Sequence, residues 1–161
     1  MHNYKLIAEP GKQTITIIQL FDAPLDLVYR AYTNPQLIPQ WWGPKDLAIT
    51  VEKMEIKRGG SWRVINKDKK GNEYIFNGVY HEVIPQERIT NTFEYEGMPG
   101  HISLETVVFE EIDGKTQLTG KSVFQSVEDR DGMINSGMER GVADSNERFS
   151  ELLEKMSAKV S

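Results

Sequence analysis

Three histidines, His2, His81 and His101, are the only imidazoles available for acid–base or metal chemistry, and no two form an HxH or HExxH pair. A metal site would need His81, His101 and a carboxylate such as Glu82 or Glu105 to converge. His81 and Glu82 are neighbours in an extended segment and so point to opposite faces, which argues against it; no metal is expected. His2 is expected in a loose terminus. There is no cysteine and no G-x-S-x-G elbow, so the two nucleophiles most readily read from a sequence are missing. Gly59-Gly60 lacks the rest of a phosphate loop and reads as a turn or bulge. No cofactor is expected. General acid–base work stays open, because a single Glu, Asp, Tyr or Arg in an apolar cavity can perform it.

Any such group must be held by the elements around it. The 161 residues suit one domain of α+β class, large enough to fold without disulfide or metal. A β-branched, largely alternating run over 14–20 predicts a first strand. After it, Asp22 or Ala23 is placed to cap a helix with Pro24 in its first turn, and Leu27, Val28, Ala31 and Tyr32 form one apolar face. Asn34-Pro35 ends that helix, and a short second turn through Leu37 and Ile38 follows. Strands are then expected over 47–56, 61–66, 73–84, 87–95, 102–112 and 116–124. Their short connections, with Asp113-Gly114 the strongest hairpin signal, describe an antiparallel meander. With no crossover helix among them, a doubly wound nucleotide-binding fold is excluded. From Ile134 the period changes. Met138, Val142, Ser145, Phe149, Leu152, Leu153 and Met156 continue a stripe at steps of three and four, one long core-facing helix.

Charge narrows the partners. With 24 acidic and 19 basic residues the net charge is −5, and no basic face is visible. Nucleic acid is not an expected partner. Lys67-Asp68-Lys69-Lys70, the densest basic run, reads as a solvated hairpin tip. The N-terminal residues lack the apolar core of a signal peptide and no stretch is long enough for a membrane span, so a cytoplasmic location is expected.

The segment Ala23-Pro24-Leu25-Asp26-Leu27-Val28-Tyr29-Arg30-Ala31-Tyr32-Thr33-Asn34-Pro35, followed by Gln40-Trp41-Trp42-Gly43-Pro44, resembles the opening signature of the activator-of-heat-shock-ATPase-like (Aha-type) domains. Gly60-Ser61-Trp62-Arg63, Gly78-Val79-Tyr80-His81-Glu82-Val83, Glu105-Thr106-Val107-Val108-Phe109 and the run from Arg130-Asp131 to Gly141 extend the likeness over roughly 13–158. These domains belong to the START/birch-pollen-allergen (SRPBCC) superfamily. The resemblance implies a helix-grip fold: a curved antiparallel sheet wrapped around the last helix, with a cavity between them. The eukaryotic activators join this domain to a separate N-terminal domain that binds the chaperone. One domain occupies the present chain, so a chaperone partner is not the leading expectation. Many members carry an aromatic residue where this chain has Val142.

Given that fold, Trp41, Trp42, Trp62, Tyr74, Phe76, Tyr80, Phe93 and Tyr95 fall in or beside the segments that should line the cavity, with Met138 and Val142 on the helix above. Aromatic walls with few polar handles are typical of small-molecule pockets, and equally of ordinary cores. Phe93 and Tyr95 should share a strand face with Ile89, and Tyr74 and Phe76 one with Tyr80. By resemblance and position, Arg63 and Glu82 are the candidate polar handles, with Tyr80 a further acid–base candidate. The plainer alternative is that Arg63 and Glu82 pair outside the sheet. The expected function is binding of a small hydrophobic or amphipathic molecule in the cavity, without catalysis. A cyclase- or hydrolase-type enzyme with an acid–base residue in the cavity is the alternative, and a stress-related co-chaperone or interaction module the second. Whether the chain acts as monomer or homodimer is open.

Overall fold

The computed structural model describes residues 3–160, with side chains to residue 158. The strands are β1 (Tyr4–Ile7), β2 (Thr14–Phe21), β3 (Ala48–Met54), β4 (Ser61–Lys67), β5 (Glu73–Ile84), β6 (Arg88–Tyr95), β7 (Ile102–Ile112) and β8 (Lys115–Val123). They form one antiparallel sheet in the order β1-β2-β8-β7-β6-β5-β4-β3. The helices are α1 (Leu25–Thr33), α2 (Val127–Asn135) and α3 (Met138–Val160), with a 3-10 turn at Ile38–Gln40. The curved sheet holding the long C-terminal helix is the helix-grip architecture. Among the described residues no helix is long and apolar enough to cross a membrane.

The strands follow the alternation of the sequence wherever one face is buried. In β4, Trp62, Val64 and Asn66 point into the fold while Arg63 points out. Two β-bulges re-phase the alternation. In β3 the register shifts between Val51 and Lys53, so that Val51 and Met54 both reach the core. In β5 it shifts between Tyr80 and Glu82, and Tyr80 and Val83 both pack inward. The opposite-face rule for His81 and Glu82 therefore fails. Both lie between two inward residues, and Glu82 turns to the outer face to meet Arg88.

Four further expectations need correction. The chain begins with an edge strand, β1, paired with β2; four residues are too few for alternation to show. Neither Asp22 nor Ala23 caps α1. Pro24 is its N-cap with no side-chain hydrogen bond, and the Pro24 carbonyl takes the Leu27 and Val28 N–H groups. The last helix is two helices, broken at Ser136-Gly137, where Gly137 has φ 89°, a conformation that ends a helix readily only at glycine. Ser126 caps α2 by accepting from the Asp129 N–H at 3.0 Å. Finally, the apolar stripe is not buried along its whole length. Phe149, Leu152 and Leu153 are, but Met138 and Val142 remain partly exposed. The C-terminal half of α3 is gripped by the core, and its N-terminal half stands over open space. The basic run at 67–70 does form a hairpin tip, in which Asp68 accepts from the N–H groups of Lys70 and Asn72. His2 lies outside the described residues.

The core lies where α1 and the second half of α3 meet β2, β7 and β8. Phe149 sits edge-on to Phe21 at 4.8 Å and to Trp41 at 4.9 Å, and Tyr32 stacks on Trp41 at 5.3 Å. This cluster closes one end of the space beneath α3.

Candidate functional site

A cavity of about 370 Å³ opens under the first half of α3. Its walls come from the sheet, from α1, from the 39–44 segment and from the α2–α3 corner. Trp41, Trp42, Trp62, Tyr80 and Phe93 line it, with Met138 and Val142 above. Trp42 contacts Trp62 at 5.6 Å and Trp62 contacts Phe93 at 5.8 Å, so one side is a continuous aromatic wall. Trp62 lies across Gly78, its register partner in β5; a Cβ there would stand 2.5 Å from the indole nitrogen. Glycine at that point lets the ring lie flat against the sheet.

Three aromatic candidates fall elsewhere. Phe76 packs at a tilt against Phe93 at 5.1 Å and Tyr95 at 5.2 Å, continuing the row away from the cavity. Phe76 is four residues from Tyr80, roughly 13 Å along an extended strand, which is too far to reach the same space. Tyr74, one further step along, is exposed and its hydroxyl donates to Asp68.

The proposed polar handles also leave the site. Arg63 is outward because Trp62 and Val64 are inward. It makes a bidentate bond to Glu96, with Nε at 2.8 Å and Nη2 at 2.9 Å, and also meets Glu52. That guanidinium, with Asn77, holds the Glu96 carboxyl down at about 2. Glu82 accepts from Arg88 at 2.6 Å. Arg63 and Glu82 are therefore both outside the cavity, and each has a partner other than the other.

The polar groups inside form a row of which the sequence reading placed only Tyr80 at the cavity. Tyr80 on β5 stands opposite Asn91 on β6, Asn91 opposite Glu105 on β7, and Glu105 opposite Ser122 on β8. Residues directly opposite share a face, and all four line the cavity. Burial raises the Glu105 carboxyl to about 7, with a hydrogen bond from the Ser122 side chain as the smaller, opposing influence. Glu105 borders the cavity and so keeps some exposure to it. Its Oε2 is nevertheless fully covered and has no partner, as is Nε1 of Trp62. Burial also raises the Tyr80 phenol, and it pushes Tyr32 up to about 12 with help from the Glu105 charge. The signal that finds Glu105 is phase. Val107 and Phe109 set the inward face of β7, and stepping back by two gives Glu105 and Ser103.

α3 fixes the wall that carries the two tryptophans. Arg148 donates from Nε to the Gln40 carbonyl at 3.1 Å, from Nη2 to Pro39 at 3.0 Å and from Nη1 to Trp42 at 3.2 Å. Ser145 donates to the Trp41 carbonyl at 2.8 Å, and the Trp41 indole to the Ala31 carbonyl at 3.0 Å. Arg148→Met keeps the aliphatic stem and removes the donors. It is expected to cost about 1.5–2 kcal/mol, because the half-exposed carbonyls regain water. The near-ultraviolet circular dichroism of Trp41 and Trp42 should weaken; an unchanged spectrum and melt would show that the segment holds itself.

Among the described residues no cluster of His, Asp and Glu is arranged to hold a metal ion; His101 instead meets Asp129 at the surface, 2.9 Å away.

The family model described as Activator of Hsp90 ATPase homolog 1-like protein matches residues 22–154. Solved structures share the fold. Protein Ms6760 from Mycobacterium smegmatis superposes with a TM-score of 0.84 at 21% identity, over 92% of this chain and 95% of that one. A protein from Arthrobacter aurescens gives 0.85 at 22% identity, over 94% and 91%. One from Staphylococcus epidermidis gives 0.78 at 28% identity, over 92% and 93%. No curated protein matches the chain in sequence. With most of its length covered by that family model, the chain belongs to the Activator of Hsp90 ATPase homolog 1-like family of the SRPBCC superfamily.

Proposed function

We infer that the protein binds a small amphipathic molecule in the cavity beneath α3. The observation that carries this reading is a cavity of about 370 Å³ with a continuous aromatic wall and the Glu105 carboxyl at its border. The volume is in the range of small-molecule sites. The family commonly binds hydrophobic ligands, which supports the same reading.

Val142 supplies the test. It lines the cavity and stands where many relatives carry an aromatic residue. Val142→Trp is expected to project its ring into open space, changing stability by less than about 1 kcal/mol instead of the 1–3 kcal/mol that overpacking costs. Uptake of a polarity-sensitive dye, present in the wild type, should fall at least tenfold. A large loss of stability in the variant, with no dye uptake by the wild type, would sink the cavity reading.

One observation favours a second reading, acid–base catalysis. A carboxyl held at about 7 inside an apolar cavity can donate or accept a proton near neutral pH, with Asn91 beside it and Tyr80 one strand further along the same face to orient a substrate. Native mass spectrometry of protein purified from its own host separates the two. A retained molecule supports a binder, and conversion of that molecule on prolonged incubation, lost in Glu105→Gln, supports an enzyme.

A further inference from the structure

Among the described residues, the cavity lining holds one carboxylate and no lysine, arginine or histidine. Its titratable groups are Glu105 from β7, Tyr80 from β5 and Tyr32 from α1. The remaining elements present Met54, Trp62, Asn91, Ser122, Met133 and Val142, none of which titrates. The arginines around the site are engaged elsewhere. Arg63 is tied to Glu96 and Glu52 on the outer face, and Arg148 to the carbonyls of the 39–44 segment. Arg130 is tied to Asp131 and to the Glu9 and Thr14 carbonyls.

This distribution discriminates between guests. A carboxylate or phosphate would set a second negative charge beside Glu105 with no cation to balance either. A protonated amine set against Glu105, whose side chain borders the cavity, balances that charge. The faces of Trp41, Trp42, Trp62 and Tyr80 carry negative potential and attract the same cation. We propose that the cavity selects amphipathic organic cations, primary or secondary amines on an apolar body of one or two rings, with the nitrogen against Glu105. The proposal rests on the reading that the cavity binds a small molecule.

Three probes of one shape test it by calorimetry at pH 8: 1-naphthylmethylamine as the cation, 1-naphthylmethanol as the neutral isostere and 1-naphthoic acid as the anion. The amine should bind at least tenfold more tightly than the alcohol, and the acid at least tenfold more weakly. Acidification to pH 5.5 should weaken the amine and spare the alcohol, because Glu105, held near 7 by burial, becomes neutral while the amine stays charged. In Glu105→Gln the amine should fall to within about threefold of the alcohol and lose its pH dependence. If the alcohol binds and the amine is no tighter, or the acid is tightest, charge selection is wrong and the cavity reading stands. If none of the three binds, both fail. The wild-type series and its pH dependence decide the matter even if the variant does not fold.

Discussion

Glu105→Gln should leave stability near pH 4 unchanged and raise it at pH 8 by about 2–3 kcal/mol. Burial lifts this carboxyl from its ordinary 4.5 to about 7 in the folded chain. Between those values the folded state holds a proton that the unfolded state has released. The stability contributed by the protonated form is complete below pH 4.5 and is lost as pH rises through 7. The full shift corresponds to about 3 kcal/mol, and screening through the cavity trims it. Glutamine keeps the shape and an oxygen for Ser122 while removing the charge. For a chain of this size the gain amounts to roughly 5–10 °C in melting temperature. Glu96 has the opposite sign, because Arg63 holds it at about 2, and its contribution changes only below pH 4.5, so wild type minus variant between pH 4.5 and 8 reads Glu105. Equal stability of the two proteins at pH 8 would show that Glu105 is solvated. A cation bound to the wild type should narrow the gap, since it compensates the charge that the variant lacks.

The sheet was legible because its signals are local. Strands of β-branched and aromatic residues alternate between turns, and Asp113-Gly114 takes the positive φ at both positions that its hairpin requires, 51° and 79°. The break before α3 was hidden for the same reason that the helix was visible. Ile134 and Met138 are four apart, so the apolar period runs straight through Ser136-Gly137. The tryptophan wall was found through its types and the resemblance. The handles were not, because charge near an aromatic segment says nothing about which face it occupies. Arg63 is outward by simple alternation with Trp62, and Glu82 by a bulge that no local pattern announces. Glu105, which the sequence offers only as a possible metal ligand, does not show as a cavity residue because the first half of β7 inverts the usual rule. Ile102 and Leu104 face out and are exposed, while Ser103 and Glu105 face in. A strand whose apolar residues are out of phase with its own core positions marks a surface shaped for something other than packing.

The largest effect should come from the C-terminal half of α3. Phe149 is 3% exposed and touches Phe21, Trp41 and Tyr32, which belong to the first sheet strand of the core, the tryptophan segment and α1. Phe149→Ala should cost about 3–5 kcal/mol, the range for deleting a buried ring that its surroundings cannot replace. Removing everything after Gly141 takes Leu152 and Leu153 as well, both buried, and the Arg148 bonds to the 39–44 segment. Their combined loss exceeds the roughly 5–15 kcal/mol by which a domain is stable, so the truncated chain should show no cooperative melt. The N-terminal half of the same helix should behave oppositely. Val142→Ala removes a side chain that borders open space, and its expected cost is under about 1 kcal/mol. Denaturant melts of Phe149→Ala and Val142→Ala therefore compare the two ends of one helix. Equal losses at both would mean that α3 is packed along its whole length and that the space beneath it is not a cavity.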